Sequence, residues 1–113
     1  MTSPTQRSIA LLKERGYVTA IVERWNPYAR IRQDLWGFVD ILAIKEGEML
    51  AVQTTSGAHV GERLKKIAAS PLIATVLSAG VRVVVHGWRK VGPRGKAKKW
   101  ECREEFLTVE NFK

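Results

Sequence analysis

Apolar residues change their spacing several times along this chain, and each change marks an element. Ile9, Leu11 and Leu12 form a helical stripe between Ser3-Pro4 and Gly16. Serine and proline are cap and first-turn residues, and glycine is the usual residue beyond a last turn, so a first helix is predicted here. Tyr17 to Trp25 (YVTAIVERW) is rich in β-branched and aromatic residues and predicts a strand, broken by Asn26-Pro27. A basic, irregular connection from Tyr28 to Leu35 then leads to Trp36-Gly37.

Two apolar runs flank Glu46-Gly47 and predict a hairpin. With a two-residue loop, Lys45 pairs with Glu48 and residues whose numbers sum to 93 face each other. Leu42, Ile44, Met49 and Ala51 then share one face, and Val39, Ile41, Leu50 and Val52 the other. Strands apolar on both faces need cover on both sides. His59 to Ala69 predicts one helix, and Ser70-Pro71, as cap and first residue, start another that runs to about Ala79 before Gly80. Val81 to Trp88 and Trp100 to Phe106 predict two further strands, joined by the turn-rich basic loop Gly92–Lys99 as a C-terminal hairpin over about 81–106. The predicted order is α-β-β-β-α-α-β-β, an α/β sandwich with a mixed sheet flanked by helices.

With 113 residues the chain is expected to form one domain, 1–113. Charge sharpens the picture: 19 Lys and Arg against 11 Asp and Glu give +8. A domain this basic points to a polyanionic partner, nucleic acid before membrane. Cys102 is the only cysteine, which excludes an intramolecular disulfide and a thiolate metal site and fits a reducing, cytoplasmic setting. No apolar run of membrane-spanning length and no signal-peptide pattern is present, so a soluble protein is expected.

Asp40 and Gln53 are the polar exceptions within the hairpin, and their numbers sum to 93. Opposed residues have Cβ atoms about 4.5–5.5 Å apart, close enough to share one metal ion. A carboxylate, an amide oxygen and the Thr54 backbone carbonyl make a hard-oxygen set suited to Mg²⁺ or Mn²⁺. Such an ion polarises a phosphoryl oxygen and generates hydroxide near neutral pH. Without a metal, Asp40 reads as a strand-entry residue bonded to backbone N–H groups. Asp34 reads as a partner for a neighbouring arginine, or as a ligand through water. His59 lacks a second histidine or cysteine nearby, which argues against zinc. Glu14 is given no metal role and His86 a structural one.

The sequence Gly37-Phe-Val-Asp40, twelve residues, then Gln53-Thr-Thr55 resembles the PD-(D/E)XK nuclease superfamily. Archaeal-type Holliday junction resolvases and small phage-associated nucleases with a virus-type replication-repair nuclease domain look most alike, over about Arg7 to Trp88. The resemblance implies a restriction-endonuclease-like sandwich, Asp40 as metal carboxylate and Gln53 in the glutamate position. It further implies a Mg²⁺- or Mn²⁺-dependent nuclease cutting DNA, branched DNA included, and a homodimer. Two residues depart from the pattern. Gln53 removes one negative charge, and Thr55 stands where the family has the lysine that activates water and stabilises the phosphorane. A hydroxyl cannot supply that cation. Lys66 is favoured as its replacement over Arg63 and Lys65 on the same predicted helix, while Lys45 lies about 17 Å along the strand from Asp40.

Three basic groups could meet phosphates: Arg30 with Arg32; Arg63 with Lys65 and Lys66; and Arg89, Lys90, Arg94, Lys96, Lys98 and Lys99. Trp88 or Trp100 could stack on an unpaired base. Alternatives to an active nuclease are an inactive nucleic-acid-binding protein of the same fold and a structural protein of a phage or mobile element.

Overall fold

A computed structural model describes residues 3–92 and 99–107. Ser3 opens α1 (Pro4–Glu14) with a capping box: Ser3 Oγ accepts from the Gln6 N–H at 3.2 Å, and Gln6 Oε1 accepts from the Ser3 N–H at 3.4 Å. The chain then runs through β1 (Val18–Ile21), β2 (Arg24–Asn26), β3 (Ile31–Gln33), β4 (Ile41–Lys45) and β5 (Glu48–Ser56). A 3₁₀ turn (Gly57–His59) leads into α2 (Val60–Ala68), α3 (Ile73–Ser78), β6 (Arg82–Val91) and β7 (Lys99–Leu107).

Five strands form one mixed sheet in the order β1-β4-β5-β6-β7, in which only β5 and β6 run parallel. That parallel pair needs the α2–α3 crossover between its strands. Leu12 of α1 packs on Ile41, Ala43, Leu50, Val52 and Val84 on one face. Val60 and Ile67 of α2 and Ile73 and Val76 of α3 pack on Ala51, Val83, Val85 and Leu107 on the other. The mixed sheet with helices on both faces is the expected α/β arrangement.

Several details differ from expectation. Tyr17–Trp25 is not one strand. After β1 the chain leaves the sheet, and β2 pairs antiparallel with β3 in a separate two-stranded arm. The supposedly irregular connection thus contains β3, and the arm interrupts the predicted order. Val39 packs with the α2–α3 face rather than with Ile41, because β4 begins only at Ile41 and the chain bends at Asp40. Ile44 and Met49 are largely exposed and stand in register with exposed Val18, where the helices leave one end of the face uncovered. Ser70-Pro71 precedes α3 as a turn instead of capping it; Leu72 holds the cap position, and Ser70 Oγ accepts its N–H at 3.2 Å.

A buried polar chain ties α1 to β6 and β7 on its own face of the sheet. Trp88 Nε1–H donates to Ser8 Oγ (2.9 Å), Ser8 Oγ lies 2.8 Å from His86 Nδ1, and His86 Nε2 lies 3.2 Å from Glu104 Oε2. Arg15 clamps Glu104 with two bonds of 2.7 and 2.8 Å. Indole only donates and carboxylate only accepts, so the chain sets the tautomer. Ser8 donates to Nδ1, and Nε2 carries the proton toward Glu104. Ser8→Ala would leave the Trp88 donor and His86 acceptor unpaired in the core, an expected loss of about 1–2 kcal/mol in denaturant unfolding.

Burial holds the His86 imidazole below its ordinary pKa, against the opposing pull of Glu104. A depressed value in the folded state means that the unfolded chain takes up the proton first. The His86 contribution is therefore present above the unfolded value of about 6.5 and lost as pH falls through it toward the folded value. His86→Gln, which keeps one acceptor and one donor, is expected to flatten the fall in Tm between pH 7 and 5.5.

Close packing also fixes Gly87 in β6. A Cβ at this position would overlap Val60 Cγ2 and stand 3.1 Å from Gly57 Cα. The start of α2 rests directly on this bare stretch of backbone.

Candidate functional site

Backbone pairing decides what surrounds Asp40. Its N–H donates to the Val52 carbonyl and its carbonyl accepts from the Val22 N–H, both at 2.9 Å. Asp40 thus lies one residue beyond the last β4–β5 pair, Ile41 with Val52, and is flanked by the residues that follow Val22 and Val52. Those residues are Glu23 and Gln53. The expected Lys45–Glu48 register is present, and it brings the Asp40 and Gln53 side chains together. Gln53 Nε2 donates to Asp40 Oδ2 at 3.1 Å; the Thr54 N–H and Oγ1 donate to the same oxygen at 2.8 and 3.2 Å. Thr54 also lies 3.0 Å, Oγ1 to Oγ1, from Thr5 of α1.

Asp34 reaches the same place through a tight reversal. Trp36 and Gly37 both have positive φ (57° and 84°), and the Leu35 carbonyl accepts from the Phe38 and Val39 N–H groups at 3.2 and 2.9 Å. Two consecutive positive φ angles are the mark of a type I′ turn, which suits Gly37 and strains Trp36. The turn folds Asp40 back beside Asp34. Glu23, Asp34 and Asp40 each offer a carboxylate oxygen, and these oxygens all lie within 4.8 Å of one another.

Two of these acids, Asp34 and Glu23, are held above the ordinary carboxylate range. Burial, then the charge of Asp40 and a hydrogen bond shared with it, push Asp34 up to about 6, while Lys66 pulls the other way. Burial and then Asp40 also raise Glu23, against Arg32, which stands 3.6 Å from it. Beside them Gln53 is 4% exposed, and its Oε1 is buried with no partner among the described residues. An unmet buried acceptor costs about 1–3 kcal/mol. Turning the amide over would set Oε1 against Asp40 Oδ2, an acceptor–acceptor contact that only a cation or a proton makes favourable.

The cluster lines a cleft of about 340 Å³, walled by Pro4 and Thr5 of α1, Arg32, Thr54 and Arg63. Arg32 and Asp34 also border a groove of about 680 Å³ that runs past Arg24, Gln33 and Trp36 to Lys66. No family model, curated protein or solved structure matches this chain.

The sites expected from sequence separate into three groups. Asp40, Gln53, Thr54, Arg32 and Arg63 meet at the cleft, and Lys66 borders the adjoining groove. Thr54 enters as a donor to Asp40 through its N–H and hydroxyl. Thr55 is only 7% exposed and lines neither cavity, nor does exposed Lys65. Arg30 sits at the tip of the β2–β3 arm. Arg89 pairs with Glu101 at 3.3 Å, and Lys90 lies over the Trp100 ring. Lys99 is exposed at the start of β7, while Arg94, Lys96 and Lys98 lie outside the described residues.

The two tryptophans proposed for stacking differ, Trp100 being 42% exposed and Trp88 buried. Trp88 is buried against Ser8, and the Arg7 guanidinium covers Trp100 at 3.6 Å from its centroid. Asp34 joins Asp40 instead of pairing with an arginine, because the turn at Trp36-Gly37 folds Asp40 back beside it. His59 pairs with Glu62 at 2.7 Å, and Glu14 is exposed in the last turn of α1. Glu23 was not singled out from the sequence. Its signal is an acid interrupting the apolar run Tyr17–Trp25, at the point where the chain leaves the sheet.

Proposed function

We propose that this protein is a divalent-metal-dependent nuclease that hydrolyses DNA phosphodiester bonds, using Asp40, Glu23, Asp34 and Gln53 to hold Mg²⁺ or Mn²⁺. The observation that carries the reading is the buried, unpartnered Oε1 of Gln53, whose amide nitrogen faces Asp40 in a group of three carboxylates. A hard cation among the carboxylates would relieve their repulsion and, with the amide turned over, take Oε1 as an oxygen ligand. Bound there, the ion would supply Lewis-acid polarisation of a phosphoryl oxygen and lower the pKa of a coordinated water.

The chain's own cations fit the rest of the task. Arg63 and Arg32 on the cleft wall can orient a phosphodiester, and Lys66 beside Asp34 takes the place of the lysine missing at Thr55. Hydrolysis then adds water oxygen to phosphorus and breaks one phosphorus–oxygen ester bond. The excess of eight positive charges provides the attraction that brings a polyanion to the cleft.

A second reading has its own support. Thr55 is buried away from the cleft, so an inactive nucleic-acid-binding protein of the same fold is the competitor. Calorimetric titration of Mn²⁺ into the wild type tests the metal site, and a gel assay of branched and linear DNA with Mn²⁺ tests turnover. One-site binding with cleavage is expected. Binding without cleavage would leave the inactive reading, and no binding would remove both.

A further inference from the structure

The β2–β3 arm has a composition unlike the rest of the surface. Between Arg24 and Gln33 it carries three arginines and no acid. Trp25 is 56% exposed, Tyr28 98% and Ile31 50%. Trp25 stands directly opposite Arg32 in the pairing, so an indole and a guanidinium share one face. The tip is held in shape from within: Asn26 Oδ1 accepts from the Tyr28 and Ala29 N–H groups at 3.0 and 3.1 Å, and Asn26 Nδ2 donates to Gln33 Oε1 at 3.2 Å. Arg30 completes the turn at a φ of 54°.

Nothing in the sheet's core needs this arm. A pre-shaped tip that holds a tyrosine almost completely exposed, near an exposed tryptophan and isoleucine, leaves a patch of apolar surface that the rest of the protein does not cover. We infer that the arm binds single-stranded nucleic acid, Trp25 and Tyr28 stacking on unpaired bases while Arg24, Arg30 and Arg32 contact the phosphates. Flat aromatic faces interleaved with arginines are the recognition chemistry of unstacked bases on a polyanionic backbone. A duplex hides its base faces and offers only the phosphates. The arm is also continuous with the acidic cleft: Glu23 immediately precedes β2, Asp34 immediately follows β3, and the groove lined by Arg24 and Trp36 leads to them. A groove ending at three carboxylates suits a threaded strand better than a lipid surface, to which aromatic and basic residues would otherwise also be suited. This inference rests on the nucleic-acid part of the function proposed above and deepens it by naming the form of the substrate.

The test is fluorescence anisotropy in EDTA with a labelled 20-nucleotide oligothymidine and a blunt duplex, so that metal and turnover play no part. The wild type is expected to prefer the single strand. The Trp25→Ala/Tyr28→Ala double variant is expected to lose at least about tenfold in single-strand affinity and much less on duplex, since each stacked base contributes on the order of one such factor or more. Its Tm and its Mn²⁺ isotherm should match the wild type, which separates the arm from the metal site. Equal wild-type affinity for both probes, or an unchanged double variant, overturns the inference and leaves the nuclease reading standing. Wild type binding neither probe overturns both. Loss in the double variant of binding to phosphatidylglycerol–phosphatidylcholine vesicles, with oligothymidine binding unaffected, assigns the arm to a membrane surface and also overturns it.

Discussion

Asp40→Asn is expected to abolish Mn²⁺ binding and metal-dependent cleavage while making the metal-free protein more stable. Losing several kcal/mol of charge stabilisation at the reacting phosphate corresponds to about 10³-fold or more in rate. The amide oxygen still accepts the Thr54 N–H, now bonded to Asp40 Oδ2 at 2.8 Å, and the new amide nitrogen faces Glu23 and Asp34 as a donor instead of a like charge. The expected gain is about 1 kcal/mol near neutral pH. Asp34 should report the same change directly. Its pKa, raised from 3.8 to about 6 by burial and then by Asp40, should fall back toward the ordinary range in a carboxyl-carbon NMR titration. Because the folded value lies above the unfolded one, the Asp34 contribution is fully present below about 4 and lost as pH rises through about 6. The stability of the variant should therefore decline less across that window than that of the wild type. Unchanged Mn²⁺ affinity in the variant would rule out Asp40 as a ligand.

Gly87→Ala is expected to cost about 3 kcal/mol, the upper end for overpacking. The added methyl meets fully buried Val60 and then the Gly57 backbone, so neither a rotamer change nor a flexible tip can absorb it. Relief requires α2 to lift from β6. Since α2 carries Arg63 to the cleft and Lys66 to the groove, the same substitution should weaken DNA binding in protein that still folds at low temperature. Gly87→Ala combined with Val60→Ala makes the control, because the smaller partner vacates the space. Recovery of Tm and DNA affinity in the double variant is expected. A single variant as stable as the wild type would show that the α2–β6 contact is not rigid.

Much of the architecture was legible because it follows from local chemistry. Ser3-Pro4 and Gly16 bound α1, and Glu46-Gly47 sets a hairpin register that makes Asp40 and Gln53 neighbours. The β2–β3 arm was not legible. Its strands are three residues each and their partners lie outside the main sheet, so no periodicity builds up to announce them. For Asp34 the sequence left two readings, an arginine partner or a ligand through water. Sequence places it near Arg30 and Arg32, whereas the positive φ angles at Trp36 and Gly37 fold Asp40 back beside it. Glu23 looked like the polar end of a strand, and it takes on meaning only once the Val22–Asp40 backbone bond sets it beside Asp40.

The arm lies between β1 and β4, which are hydrogen-bonded neighbours in the sheet. Its tip can therefore lengthen, shorten or change composition without disturbing a single ladder pair of the core. Its two ends have no such freedom, because each is followed or preceded within one residue by a carboxylate of the cleft. Under the proposed function, the residues that would grip and the residues that would react are adjacent positions of one short segment. Substitutions at the tip would then change what is bound while leaving the carboxylates at its base in place.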